Sequence, residues 1–177
     1  PDVAIVDPSL TLNCPPYITA AAGMDCFTQL TEACLSVKAG VMTDALAIDG
    51  LKAVSRSLVK SYTDGDDIRS RSDMSYAALM SGICLANAGM GTVHGLASTI
   101  GALTGISHGV ACGTLMAETN ACNVRELRQT GMNRAALGKY ATLGRIFADT
   151  GNKPEEYYID FFIDYLRALT YSLKLPG

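Results

Sequence analysis

Apolar side chains recur every three or four positions along most of the chain, which is the spacing of one face of an α-helix. Phe27, Leu30 and Cys34, for example, fall on a single helical face. Glycine, proline and polar turns separate the periodic segments from one another. The short stretch Pro1–Val6 lacks this period, and we expect it to form a strand.

The periodic segments predict eight helices, at about residues 16–22, 25–37, 44–58, 67–88, 92–103, 109–120, 134–149 and 154–173. Gly23 is expected to break the first helix from the second, and Gly40 to end the second as a left-handed cap. Thr43 is a good N-cap for the third. We therefore predict an all-α fold, an antiparallel helical bundle or array with a short N-terminal strand, as one domain over residues 1–177.

Composition and charge narrow the class of protein. Hydrophobic residues make up 49% of the chain and aromatic residues 7%, with no tryptophan, as expected of Ala- and Leu-rich packed helices. The net charge of −3 and the scattered lysines and arginines argue against nucleic acid and anionic membranes as partners. The six cysteines contain no CxxC pair, so we expect free thiols in a cytoplasmic protein.

Candidate chemistry begins with the histidines, of which the chain has two, His94 and His108. Each is followed by a glycine, which allows backbone or ligand to approach closely. Neutral imidazole is a good ligand for iron, zinc and nickel. On this evidence alone, the pair is either a metal site or two buried histidines that bond to carbonyl groups.

A carboxylate upstream adds a third candidate. Asp25 and Gln29 are spaced i, i+4, so they share one face of a helix. Because Asp25 is expected at the start of that helix, it either complements the helix dipole or binds a metal.

Three segments together carry a specific resemblance. They are Gly23–Gln29 with Glu32 after it, Met90–Ala97 around His94, and Ser107–Ala111 around His108. In this order and spacing they resemble the metal motifs of the iron-containing (group III) alcohol dehydrogenases. Asp7-Pro8 and Thr43–Ala47 resemble further segments of that family's helical half.

The resemblance implies a dehydroquinate synthase-like helical domain that binds a divalent metal, Fe²⁺ or Zn²⁺, through Asp25, Gln29, His94 and His108. It also implies hydride transfer between an alcohol and an aldehyde or ketone with NAD or NADP, in a homo-oligomer. Gln29 stands where most of the family has a histidine, and Ser98 where many members have another. Metal affinity should fall below about pH 6, where free histidine protonates.

The sequence contains no Gly-rich phosphate-binding loop. We therefore expect a nucleotide-binding domain upstream of Pro1 in the complete enzyme, and no dehydrogenase activity from this chain alone. Two other functions stay open at this point. One is metal-dependent hydrolase or lyase chemistry on the same residues, and the other is a non-catalytic role as a helical oligomerisation domain.

Overall fold

The computed structural model describes residues 2–176. A 3-10 turn, Pro8–Thr11, precedes seven helices in this part of the chain. They are α1 (Pro16–Leu35), α2 (Val41–Thr63), α3 (Ile68–Ala88), α4 (Thr92–Thr104), α5 (His108–Thr130), α6 (Arg134–Phe147) and α7 (Glu155–Ser172). The predicted all-α fold is confirmed. Six of the predicted helices correspond to α2–α7, the first two are merged in α1, and α5 continues ten residues beyond its predicted end at residue 120.

The predicted N-terminal strand is wrong, because residues 2–7 run without helix or strand pairing. Val3 and Ile5 are largely exposed, and the part of the chain that the structure describes supplies no second strand to pair with them. Asp7 instead caps the 3-10 turn, its carboxylate accepting a hydrogen bond from the backbone N–H of Ser9 at 2.9 Å. This segment therefore leads into α1 without belonging to a sheet.

Helix α1 is the centre of the fold and packs most extensively against α2, α3 and α5. Its side chains are buried around most of its circumference, with Met24, Phe27 and Leu30 fully inaccessible to solvent. Phe27 also meets Phe147 of α6 and Phe162 of α7, at ring-centroid distances of 5.0 and 6.2 Å. Because α1 is held on so many sides, a functional side chain on it has a fixed position.

Two predicted roles of glycine are wrong. Helix α1 runs unbroken through Gly23, where a Cβ would overlap the side chain of Leu58 in α2. The glycine therefore allows two helices to approach rather than ending one. Gly40 has an extended backbone (φ −130°) and is the N-cap of α2, while Thr43 lies inside the helix and its hydroxyl accepts from the Gly40 N–H at 2.8 Å.

Glycines redirect the chain on both sides of α4. Gly89 ends α3 with a positive φ of 71°, and Gly105 ends α4 in the left-handed region with a φ of 74°. As a result His94 lies in the first turn of α4 and His108 is the first residue of α5. Both histidines therefore lie at helix beginnings, as the predicted helices at 92–103 and 109–120 imply.

All six cysteines are free in the structure, as predicted. The aromatic stripe of α7 packs into the core, with Tyr158, Phe162 and Leu169 buried.

Across residues 2–176, no single helix has the length and hydropathy needed to cross a membrane. Helices α3 and α4, which meet at a bend of 104°, would together meet that test by length and composition alone.

Candidate metal centre

The first turns of α4 and α5 meet the middle of α1, and there they bring three predicted ligands together. The Nε2 atom of His94 lies 3.1 Å from Oδ1 of Asp25. The Nε2 atom of His108 lies 3.4 Å from the same carboxylate oxygen. The two imidazole rings are 5.4 Å apart between centroids. His94 and His108 follow Asp25 by 69 and 83 positions in the chain, yet all three point their metal-binding atoms at one place.

Cys112 completes this group, and the sequence analysis did not single it out. Its Sγ lies 3.5 Å from Nε2 of His108 and 3.9 Å from Nε2 of His94. One donor atom from each of Asp25, His94, His108 and Cys112 lies within 4.8 Å of every other. The signal available in the sequence is the i, i+4 spacing of His108 and Cys112, which places them on one face of α5.

The fourth predicted ligand, Gln29, lies beside the group with its amide oxygen turned away. Its nitrogen Nε2 donates to Oδ2 of Asp25 at 3.4 Å, and its oxygen Oε1 accepts from the hydroxyl of Ser81 at 2.9 Å. An amide binds metal through its oxygen, so Gln29 in this rotamer steadies the Asp25 carboxylate from behind. Its role as a direct ligand stays a prediction.

Glu32 holds His94 from the side opposite Asp25. Its Oε2 lies 2.7 Å from Nδ1 of His94, and its Oε1 accepts from the backbone N–H of Val93 at 2.7 Å. The carboxylate therefore accepts from the backbone N–H at the start of α4, which has no partner within the helix, and also fixes the imidazole ring. Gly91 makes room for it, because a Cβ there would overlap Oε1. A carboxylate behind a histidine is a common support for a metal ligand.

The two carboxylates strongly perturb the acid–base chemistry of His94. Burial disfavours the charged imidazole, but hydrogen bonds to Asp25, Cys112 and Glu32 outweigh it and raise the pKa of His94 to about 11. Burial likewise opposes ionisation of Asp25 and Glu32, but the hydrogen bond from His94 lowers the pKa of each carboxyl. His94 therefore carries a proton at neutral pH.

The spacing of the donor atoms fits a tetrahedral ion. With bonds of about 2.0–2.1 Å to nitrogen or oxygen and about 2.3 Å to sulfur, tetrahedral ligand atoms lie about 3.3–3.6 Å apart. Four of the six separations are 3.1, 3.4, 3.5 and 3.9 Å, and the other two are at most 4.8 Å. Side chains already in these positions need only small adjustments to hold a divalent cation.

Accessibility differs across the group. The side chain of His108 is 43% exposed and that of Asp25 26%, whereas that of His94 is only 11% exposed and Cys112 is buried. The group is thus closed on the α4 side and open beside His108. A small molecule can approach the donors from the His108 side.

Comparison with known proteins places this geometry in context. Residues 19–177 match the sequence profile of the Fe-containing alcohol dehydrogenase family, C-terminal. Alcohol dehydrogenase 4 of Saccharomyces cerevisiae is 38% identical over 176 residues, covering 99% of this chain and 43% of that protein. The NAD-dependent methanol dehydrogenase of Bacillus methanolicus is 36% identical over 124 residues, covering 70% of this chain and 32% of that protein.

A solved structure agrees with the sequence relatives. The alcohol dehydrogenase from Oenococcus oeni superposes with a TM-score of 0.86 at 29% sequence identity, covering 96% of this chain and 42% of that one. The chain spans less than half the length of each relative described above. The matched range, residues 19–177, contains the positions of the four predicted ligands and of Glu32 and Cys112.

Proposed function

The chain belongs to the Fe-containing alcohol dehydrogenase family, and we propose that it forms the metal-binding helical part of an oxidoreductase that acts on an alcohol or its carbonyl product. The observation that carries this proposal is the convergence of Asp25, His94 and His108 on one point at the junction of α1, α4 and α5. The names of the yeast and Bacillus relatives support an alcohol as substrate, and the Bacillus name supports a nicotinamide cofactor.

In this proposal, Asp25, His94 and His108 hold one divalent ion, iron or zinc. The Asp25 carboxylate offsets part of the positive charge, and the imidazoles supply strong neutral donors. Gln29 orients Asp25 and is the weakest candidate ligand, since its oxygen must exchange Ser81 for the ion. When bound, the metal supplies Lewis acidity and NAD or NADP accepts or donates the hydride.

The surrounding side chains prepare the site for that chemistry. Glu32 fixes the ring of His94 so that Nε2, and not Nδ1, faces the ion. Burial of His94 and Cys112 keeps water away from the α4 side, whereas the exposed side chain of His108 marks the side where substrate enters. A hydrolytic function would need a free general base near the ion, and the additional carboxylate of Glu32 is already engaged by His94 and Val93.

The raised pKa of His94 predicts that metal affinity increases with pH well above pH 6. The ion binds neutral imidazole, so it must displace the proton that His94 retains up to a pKa of about 11. Apparent affinity should therefore rise by up to about tenfold per pH unit between pH 6 and 8. Calorimetric titration with Zn²⁺ in two buffers of different ionisation enthalpy measures both affinity and proton release. An affinity that is flat from pH 6.5 upward would contradict this prediction.

Substitution Glu32→Gln should weaken metal binding by about 10- to 100-fold, the usual cost of losing a partner behind a ligand. The amide keeps the size of the side chain but loses the charge that orients and polarises His94. Glu126→Gln, at an exposed position of α5, is the matched control and should bind like the parent chain. Equal affinity of the Glu32→Gln and Glu126→Gln chains for Zn²⁺ would show that Glu32 does not support metal binding by His94.

The proposed reaction is tested by following reduction of NAD⁺ or NADP⁺ with primary alcohols, using the protein that carries this chain in full. Activity should require added Fe²⁺ or Zn²⁺ and should disappear in the His108→Ala variant. Glu126→Gln, at an exposed position of α5, is the control and should retain activity. Undiminished activity of the His108→Ala variant would refute the proposed role of this site.

A further inference from the structure

Among the four donors grouped at the site, Cys112 offers sulfur, whereas the three ligands proposed above offer oxygen or nitrogen. It follows His108 by one turn of α5, and its thiol is fully buried. On one side it touches the small apolar cluster that includes Val93, Ala97 and Ala111. On the other, its Sγ faces the Nε2 atoms of both histidines.

We propose that the Cys112 thiolate is the fourth ligand of the divalent ion held by Asp25, His94 and His108, a role that rests on the metal site proposed above. When the ion binds, the S–H bond breaks, the proton leaves to solvent, and a sulfur lone pair forms the bond to the metal. No oxidation or reduction takes place in this step.

The separations among the donor atoms support sulfur as a member of the set. The two distances from nitrogen to the Asp25 oxygen are 3.1 and 3.4 Å, whereas the two from the Cys112 sulfur to nitrogen are 3.5 and 3.9 Å. A metal–sulfur bond is about 0.2–0.3 Å longer than a metal–nitrogen or metal–oxygen bond, so sulfur belongs at the longer separations. The order of the observed distances is the order that one common ion requires.

Burial alone would explain a free cysteine in a helical core, because the thiol behaves as a small apolar group. The other buried cysteines of this chain illustrate that case. Cys84, for example, has the carbonyl of Thr43 as its polar neighbour. Cys112 differs in facing two imidazole nitrogens, with the Asp25 carboxylate also within 4.8 Å of its sulfur. That surrounding is typical of a zinc site and not of a packing position.

The orientation of the Gln29 amide also supports Cys112 as the fourth ligand. Its oxygen accepts from Ser81 and its nitrogen faces Asp25, so the amide occupies a supporting position rather than a corner of the donor group. Cys112, and not Gln29, therefore provides the fourth donor atom. Thiolate also favours softer ions, and a site with one thiolate and two imidazoles should select zinc over iron.

Cobalt substitution tests the proposal directly, because a cysteine thiolate bound to Co²⁺ gives a near-ultraviolet charge-transfer band that oxygen and nitrogen ligands do not give. The parent chain titrated with Co²⁺ should develop this band and saturate it at one equivalent. The Cys112→Ser chain should bind Co²⁺ without the band and should bind Zn²⁺ at least about tenfold more weakly. Cys122→Ser, at an exposed position on the same helix, should behave like the parent.

The outcomes separate this inference from the metal site on which it rests. If Co²⁺ binds the parent chain at the His94-dependent site without the sulfur band, or if Cys112→Ser keeps the band, Cys112 is not a ligand and the three-residue site stands. If the parent chain does not bind Co²⁺ or Zn²⁺ at all, both proposals fall. Far-ultraviolet circular dichroism of Cys112→Ser checks that the helices are retained, and the parent spectrum alone is decisive if they are not.

Discussion

Replacing His94, His108 or Asp25 with alanine should lower the affinity of the chain for Zn²⁺ or Fe²⁺ by more than about 100-fold. Each change removes a donor atom, and loss of a supporting partner alone already costs 10- to 100-fold. Nε2 of His94 and Nε2 of His108 lie 3.1 and 3.4 Å from the same oxygen of Asp25, so each change removes one donor from a single group. Titration of each variant with both metals gives the affinities.

Gln29 provides the graded comparison for that result. Gln29→Ala should cost less than about tenfold, because its amide carries no charge and its hydrogen bond to Asp25 is long, at 3.4 Å. Gln29→His should tighten binding, since imidazole is a stronger donor for iron and zinc than an amide oxygen. Ser98→Ala, one turn after His94 on α4, is the control and should match the parent. If His94→Ala and His108→Ala bind as tightly as the parent chain, the assignment of the site is wrong.

Gly109→Ala should destabilise the fold by about 2–3 kcal/mol, near the upper end of the cost of overpacking. A Cβ at this position would overlap the backbone carbonyl of Ala21 in α1, which cannot turn aside as a flexible side chain can. Helix α5 would have to move away from α1, and His108 would move away from Asp25 with it. Urea denaturation of the metal-free chain measures the loss of stability, and Zn²⁺ titration measures the accompanying loss of affinity.

Gly82→Ala is the matched control for that substitution. Gly82 lies in α3 at an exposed position, and a Cβ there meets no atom within 4 Å. Alanine should therefore stabilise the helix by about 0.5–1 kcal/mol, because glycine loses more backbone entropy on folding. The two substitutions should shift the urea midpoint in opposite directions. A Gly109→Ala chain as stable as the parent would show that the α1–α5 contact is looser than described.

The helices could be predicted from the sequence because apolar spacing reports which face of each segment is buried. The predictions that failed, a helix break at Gly23 and an N-terminal strand, concern segments whose structure depends on which other segment packs or pairs with them. Gly23 has the same local sequence whether it breaks a helix or fits against Leu58, and only the packing of α2 on α1 decides between them. The apolar residues of the N-terminal segment favour a strand, but a strand forms only where another pairs with it.

At the site, too, residues within a local motif could be predicted, whereas roles that depend on helix packing could not. Asp25, His94 and His108 could be named because each lies in a motif whose residue order is distinctive. Glu32 falls seven positions after Asp25 on the same face of α1, and Cys112 four after His108, so their spacing is visible in the sequence. Their roles are not, because each depends on the angle at which α4 and α5 meet α1.

The most direct test of the central claim is an anomalous difference map from crystals of the chain grown with Zn²⁺, recorded at the zinc absorption edge. We expect one strong peak at the junction of α1, α4 and α5, about 2.0–2.2 Å from Oδ1 of Asp25 and from Nε2 of His94 and His108. A map with no peak at that junction, or with its strongest peak on other residues, would contradict it.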